Sequence, residues 1–305
     1  MKRRYCHLCG RPVTRYHSYQ RQSPGEAQPT LIVCSDCEAT KPRCVLCGVP
    51  MTQGHNGDTR PNTDRVCGAC RRTRPFCLAC GQPIAGSFLE IGGQAPFCLT
   101  CYQTRPHCDV CGVPVGEPHW ILADGRRTCN QCHQTAVYSP QQAQQVFDWT
   151  CGVIRDRLGL SLNVPTGFAV VDRNQLREVM SEAPDAPGLD PHKTLGFFVR
   201  RGKQRSMYVE SGLPQSLLIQ VIAHEFAHAW QGENCPLLSD PLVREGFAEW
   251  VAYKVLQAME ATEKMALMQK RQDVYGQGLR HVMEIEATRG VSGVLDYCQA
   301  APETH

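Results

Sequence analysis

From residue 139 onward, apolar positions recur with the period of buried helices and strands. Leu217, Leu218, Val221, Ile222 and Phe226 fall at helical spacing, so their stretch reads as a helix packed in a core. Pro214 fits its first turn. Just upstream, Ser206 to Glu210 (SMYVE) and Leu195 to Arg200 (LGFFVR) read as strands, and so does Phe168 to Val171. Ser139-Pro140 is a cap-plus-proline start for a helix through QQAQQVFDWTCGVIRDRL that ends near Gly159. Asp172 can cap a helix from Arg173 to Met180, and Ser181 to Pro191 is a polar, proline-rich loop expected to border a cleft. Ser239, Asp240 and Pro241 open a further helix, LVREGFAEWVAYKVL, and two or three more close the chain, including Tyr275 to Thr288. Before residue 139 this periodicity is missing, and cysteines mark the chain instead.

Those cysteines come in CxxC pairs: Cys6/Cys9, Cys34/Cys37, Cys44/Cys47, Cys67/Cys70, Cys77/Cys80, Cys98/Cys101, Cys108/Cys111 and Cys129/Cys132. Four units repeat, each opening with CxxCG (Gly10, Gly48, Gly81, Gly112) and closing with CxxC, and six residues separate one unit from the next. Pairing across those links would strand the first and last pairs. Pairing within units uses every one. The expectation is four closed tetrahedral sites of four thiolates, each holding a structural Zn2+ in sequence order. Redox-active CxxC motifs would need a βαβ setting that this stretch lacks. His7, His107 and His133 stand beside cysteines as bystanders, and His17, His55 and His119 fall in the inner gaps as turn or surface histidines. Each unit has about thirty residues and few large apolar side chains, so metal binding supplies its folding free energy.

The buried-helix stretch carries the other chemistry. Ala223 to Trp230 reads AHEFAHAW, which contains His-Glu-x-x-His. His224 and His228 lie one helical turn apart and can converge on one metal ion. Glu225 follows the first ligand, placed to take a proton from an attacking water. A third ligand is required. The metzincin extension would need Gly at 231 and His at 234, but the chain has Gln231 and Asn234. The glutamate class draws its ligand from a following helix, where Glu245 and Glu249 sit one turn apart. Glu245 is the expected ligand, with Glu249 an outer partner or an exposed charge. Tyr208, Tyr253, Tyr275 and His281 are candidates to stabilise an oxyanion. Cys151, Cys235 and Cys298 lie outside the pairs and read as small apolar residues.

Charge refines the partner question. Residues 1–138 carry 16 Lys+Arg and 9 Asp+Glu, a formal +7. Four zinc–tetrathiolate sites contribute about −8, leaving the array near neutral, which argues against a nucleic-acid surface. Arg71, Arg72 and Arg74 form only a local patch. No apolar run in the 305 residues reaches the ~20 needed to span a membrane. No apolar stretch follows the basic N-terminus, so a cytoplasmic location is expected.

The runs LPQSLLIQVIAHEFAHAW and EGFAEWVAY resemble the peptidase domain of the plant organ-size regulators called "DA-one" and their bacterial relatives, over about fifty residues from Tyr208 to Leu256. In that family a LIM-type zinc module precedes a HExxH peptidase, the domain order expected here. The resemblance implies that His224, His228 and Glu245 hold a catalytic zinc and that Glu225 is the general base. It also implies that the array binds a protein substrate or regulator. The cysteine array departs from a standard LIM sequence, and no ubiquitin-interacting helix is visible. The combined expectation is an α+β protein. Four small zinc-ribbon or LIM-like units occupy residues 1–137, and a mainly helical glutamate-class zincin (gluzincin) peptidase domain with a small β-sheet occupies 139–305. Five Zn2+ are expected, one catalytic and four structural. The competing reading is a non-catalytic zinc-ribbon interaction or nucleic-acid-binding protein with a vestigial peptidase domain. The intact set His224, Glu225, His228 and Glu245 favours the enzyme, since only catalysis needs Glu225.

Overall fold

The computed structural model describes residues 3–19, 30–52, 66–182 and 194–300. The proline-rich loop expected at Ser181 to Pro191 lies mostly outside them, as does His55. The chain is α+β and forms two compact units. The first comprises residues 1–107 and 112–117, and the second residues 108–111 and 118–305.

The first unit is built from short hairpins and single-turn helices. Strand β1 (Arg4–Tyr5) pairs with β2 (Pro12–Val13), and β3 (Tyr16–Tyr19) with β4 (Leu31–Cys34), which leads into α1 (Ser35–Thr40). Helix α2 (Gly68–Thr73) follows, then the β5 (Leu89–Ile91) and β6 (Gln94–Phe97) hairpin and α3 (Leu99–Thr104). Its cores are small, with Val33 packed between Cys6 and Cys37 in one, and Met51 and Val66 packed against Cys44, Cys67 and Cys70 in another.

The second unit opens with the same device: β7 (His119–Ile121) pairs with β8 (Arg127–Cys129), which runs into α4 (Asn130–Gln134). Strand β9 (Ala136–Val137) follows, then α5 (Pro140–Leu158), capped by Ser139 and stopped by Gly159 at φ 69°. Strand β10 (Gly167–Val171) leads to α6 (Arg173–Ser181), which starts in an Asp172–Gln175 capping box. Strands β11 (Gly196–Arg201) and β12 (Gln204–Glu210) form a hairpin, and β13 (Leu213–Pro214) leads into α7 (Gln215–Asn234). Helices α8 (Pro241–Ala258), α9 (Thr262–Lys270) and α10 (Val274–Ala300) close the described chain, with α10 kinked at Gly290. The sheet order is β10-β12-β11, with β10 parallel to β12 and β11 antiparallel at an edge. Helices α5, α7, α8 and α10 enclose one large core around Trp250, Phe247, Ile222 and Leu279.

Compactness divides the chain differently from the composition change at residue 138. The fourth cysteine unit shares one body with the helices because β9 pairs with β13, Val137 opposite Leu213. Both residues are buried.

Helices α8 and α10 meet backbone to backbone. A Cβ on Gly278 would lie 2.5 Å from the Leu242 carbonyl oxygen and 2.6 Å from Gly246 Cα. Gly278→Ala is therefore expected to cost about 1–3 kcal/mol or more by overpacking. A thermal scan followed by tryptophan fluorescence should show the drop, because all four tryptophans (Trp120, Trp149, Trp230, Trp250) lie in this unit. An unchanged midpoint would mean the helices separate freely.

Candidate metal centres

The four cysteine sites follow one design. In each, the glycine after the first pair has positive φ: Gly10 73°, Gly48 71°, Gly81 68° and Gly112 74°. This left-handed turn, open to glycine at little cost, aims both sulfurs inward. The second pair begins at a helix N-cap, where the sulfur of Cys34, Cys67, Cys98 or Cys129 accepts the N–H of the cysteine three residues on. The N–H of the same residue donates to the first sulfur of the unit, at 3.3 to 3.4 Å in all four: Cys34 to Cys6, Cys67 to Cys44, Cys98 to Cys77 and Cys129 to Cys108. Burial works against the Cys44 thiolate, but the N–H groups of Cys67, Leu46 and Cys47 outweigh it and lower the thiol to about 7. Cys77 behaves alike.

The sulfur spacing fits a metal. Sγ–Sγ separations are 3.8 Å for Cys9–Cys34, 3.8 Å for Cys47–Cys67 and 3.7 Å for Cys111–Cys129. A tetrahedron with metal–sulfur bonds of about 2.3 Å has edges of about 3.8 Å. All four groups, within units as expected, therefore can hold metal ions, consistent with zinc. The neighbouring histidines do other work: His7 Nδ1 accepts the Ile32 N–H at 2.9 Å, and His133 stacks on Trp120 with centroids 4.2 Å apart.

A fifth group has different chemistry. On α7, His224 and His228 bring their Nε2 atoms to 3.0 Å from each other, and Oε2 of Glu245 on α8 lies 3.4 Å from both. Bonds of about 2.0–2.1 Å to a tetrahedral metal would put such donors about 3.3 Å apart. Each histidine has a polar side chain behind it. His228 Nδ1 meets the buried Gln231 Oε1 at 3.0 Å, while Gln231 Nε2 donates to the Arg244 carbonyl. His224 Nδ1 faces Glu249 Oε1 at 3.2 Å. Glu249 is thus the outer partner, 4 % exposed and not a solvated charge. The Gln231 bond fixes the His228 ring, whereas His224 Nδ1 is buried without a hydrogen bond.

Burial opposes charging His224, but Glu245, Glu249 and Glu225 outweigh it and push the imidazole up to about 10. Burial would raise the Glu245 carboxyl, yet the two histidines hold it well below the usual range. Glu249 Oε2 is buried without a hydrogen bond. His224, His228 and Glu245 thus form a group that can hold a metal ion.

Glu225 is buried between α7 and β11. Its Oε2 accepts the backbone N–H of Phe198 at 3.0 Å. A Cβ on Gly196 would lie 2.4 Å from Val221 and 3.0 Å from Glu225 Cγ, so only glycine lets the strand approach this closely. Gly196 and the Phe198 N–H escape sequence reading because they act through a tertiary contact. A glycine inside a strand pattern was the one available signal.

Of the four oxyanion candidates, Tyr275 alone has a ring against a ligand, 5.9 Å from that of His224. Burial raises its phenol, and the Glu245 carboxylate adds to this. Arg271 lies over its ring at 4.7 Å and reaches to 3.7 Å from Glu249. Tyr253 takes a hydrogen bond from Gln269, His281 pairs with Tyr297, and Tyr208 packs beside Phe197 and Leu176. Cys235 lies against Cys298, Sγ to Sγ 3.5 Å. No described helix is long and apolar enough to cross a membrane. No family model, curated protein or solved structure matches the chain.

Proposed function

We propose that the protein is a zinc-dependent metallopeptidase of the glutamate class, a bacterial-type relative of the "DA-one" peptidases, whose N-terminal array of cysteine units binds or regulates its protein substrate or partner. The observation that carries this reading is the convergence of two histidine nitrogens and one carboxylate oxygen at 3.0 to 3.4 Å, with a buried glutamate beside them. Zinc bound there would supply a Lewis acid for the scissile carbonyl and lower the pKa of water toward neutrality.

The chain's own residues supply the rest. Glu225, tied through Oε2 to Phe198, keeps Oε1 to accept the proton of the attacking water and pass it to the leaving amine. Gln231 holds the His228 imidazole in orientation, and the Glu249 carboxylate stands behind that of His224. Tyr275, kept protonated by its surroundings, is the donor for the developing oxyanion. Strand β11 is the sheet edge beside Glu225, and an extended peptide can pair with such an edge.

Hydrolysis of an unfolded protein such as reduced casein should vanish on treatment with a zinc chelator and return on adding zinc. Cleavage that persists in the metal-free chain would refute the reading.

A further inference from the structure

The fourth cysteine site differs from the other three in what it touches. Cys6 to Cys101 fall in one compact unit, and Cys108, Cys111, Cys129 and Cys132 fall in the unit of the helices. The metal helix α7 begins with no side-chain cap. Its first N–H, on Gln215, donates instead to the carbonyl of Thr135 at 2.9 Å, three residues after Cys132. An uncapped helix start leaves donors unsatisfied, so this bond has a structural purpose. Gly212 N–H bonds to the Val137 carbonyl at 2.9 Å, and β9–β13 pairing continues the seam.

A buried ionic network runs alongside. Arg126, three residues before Cys129, where the second CxxC starts, is 2 % exposed. It pairs with Asp124 at 2.8 Å and with Glu210, and donates to the Ser211 carbonyl at 2.8 Å. Glu210 also binds Arg173 at 3.0 Å. Arg173 reaches Asp109 at 3.4 Å, and Asp109 lies inside the first CxxC, where it accepts the Arg127 N–H at 2.6 Å. Both turns that carry the sulfurs are thus tied to Glu210 and Ser211, the segment that delivers α7. Leaving Arg126 or Glu210 unpaired would strand a buried charge, while the Arg173–Asp109 pair is the exposed end of the network.

We propose that the fourth cysteine site is the anchor of the metal helix: its bound metal holds the Thr135 cap and the Arg126–Glu210 network in place, and the His224/His228/Glu245 site is filled only when it is. Cys6 to Cys101, in the other compact unit, supply the comparison. The proposal rests on the reading of both groups as metal sites, not on hydrolysis.

Full-length chains carrying Cys129→Ser with Cys132→Ser, or Cys34→Ser with Cys37→Ser, should be compared for zinc per chain and for the tryptophan-monitored thermal transition. The change at the first site is expected to remove one zinc and leave the transition in place. The change at the fourth site is expected to remove two zinc ions and lower the transition by about 10 °C or more. Loss of only one zinc, with a transition matching that of the first-site variant, would overturn the proposal. If the fourth-site variant precipitates, Arg126→Gln decides, because it keeps all sixteen paired cysteines. With the fourth site still filled, zinc at the histidine site should become about tenfold or more easier to withdraw by chelator competition. Unchanged withdrawal would overturn the anchoring. If the intact chain holds four zinc ions instead of five, the histidine site is empty and this proposal falls; five zinc ions without any hydrolysis would overturn the catalytic reading alone.

Discussion

Glu225→Gln is expected to reduce hydrolysis by about 10²–10⁴-fold, the range of general acid–base catalysis, while metal content and the unfolding midpoint stay close to those of the parent chain. The side chain is nearly isosteric. A glutamine oxygen can still accept the Phe198 N–H, so the tie between α7 and β11 survives. What is lost is a group that can take and return a proton. Measuring kcat/KM beside zinc per chain separates the two roles. Undiminished hydrolysis would make Glu225 only a strut between strand and helix. Parallel loss of zinc and activity would place it among the groups that hold the metal.

The second large effect concerns the array. Removing zinc from the first three cysteine sites is expected to unfold residues 3–19, 30–52 and 66–107 outright. The apolar material there is slight: Val33 in one cluster, Met51 and Val66 in another, with cysteines completing both. Structural zinc in small modules is worth on the order of 10 kcal/mol or more in apparent binding free energy, far above what such cores provide. Amide hydrogen exchange read by mass spectrometry should show protection in these residues with zinc and near-unfolded rates after chelation. Protection that survives chelation would show that the hairpins hold by packing alone.

The parts legible in the sequence are those set by local spacing. The cysteine pairing followed from which grouping uses every pair, and the sulfurs meet in that grouping. Helical period put His224 and His228 on one face and left Glu245 and Glu249 as candidates one turn apart. Their division of labour is a tertiary fact: Glu245 reaches both Nε2 atoms, and Glu249 reaches Nδ1 of His224 from behind. That Tyr275 alone of the four oxyanion candidates stands against His224 is also a tertiary fact, as is the close meeting of α8 and α10 at Gly246 and Gly278. The glycine spacing carries no mark of which helix it faces. The attachment of the fourth cysteine unit to the helices was equally hidden. Ser139-Pro140 announces a helix start, which is present, but the bonds from Thr135 and Arg126 to Gln215, Glu210 and Ser211 join residues some eighty positions apart.

The central claim is that His224, His228 and Glu245 hold a metal ion in addition to those of the cysteine sites. Elemental analysis of zinc per chain, on the parent and on His228→Ala, tests it with no substrate. The account expects about five zinc ions in the parent and about four in the variant. About four in both, unchanged when zinc is added, would contradict it.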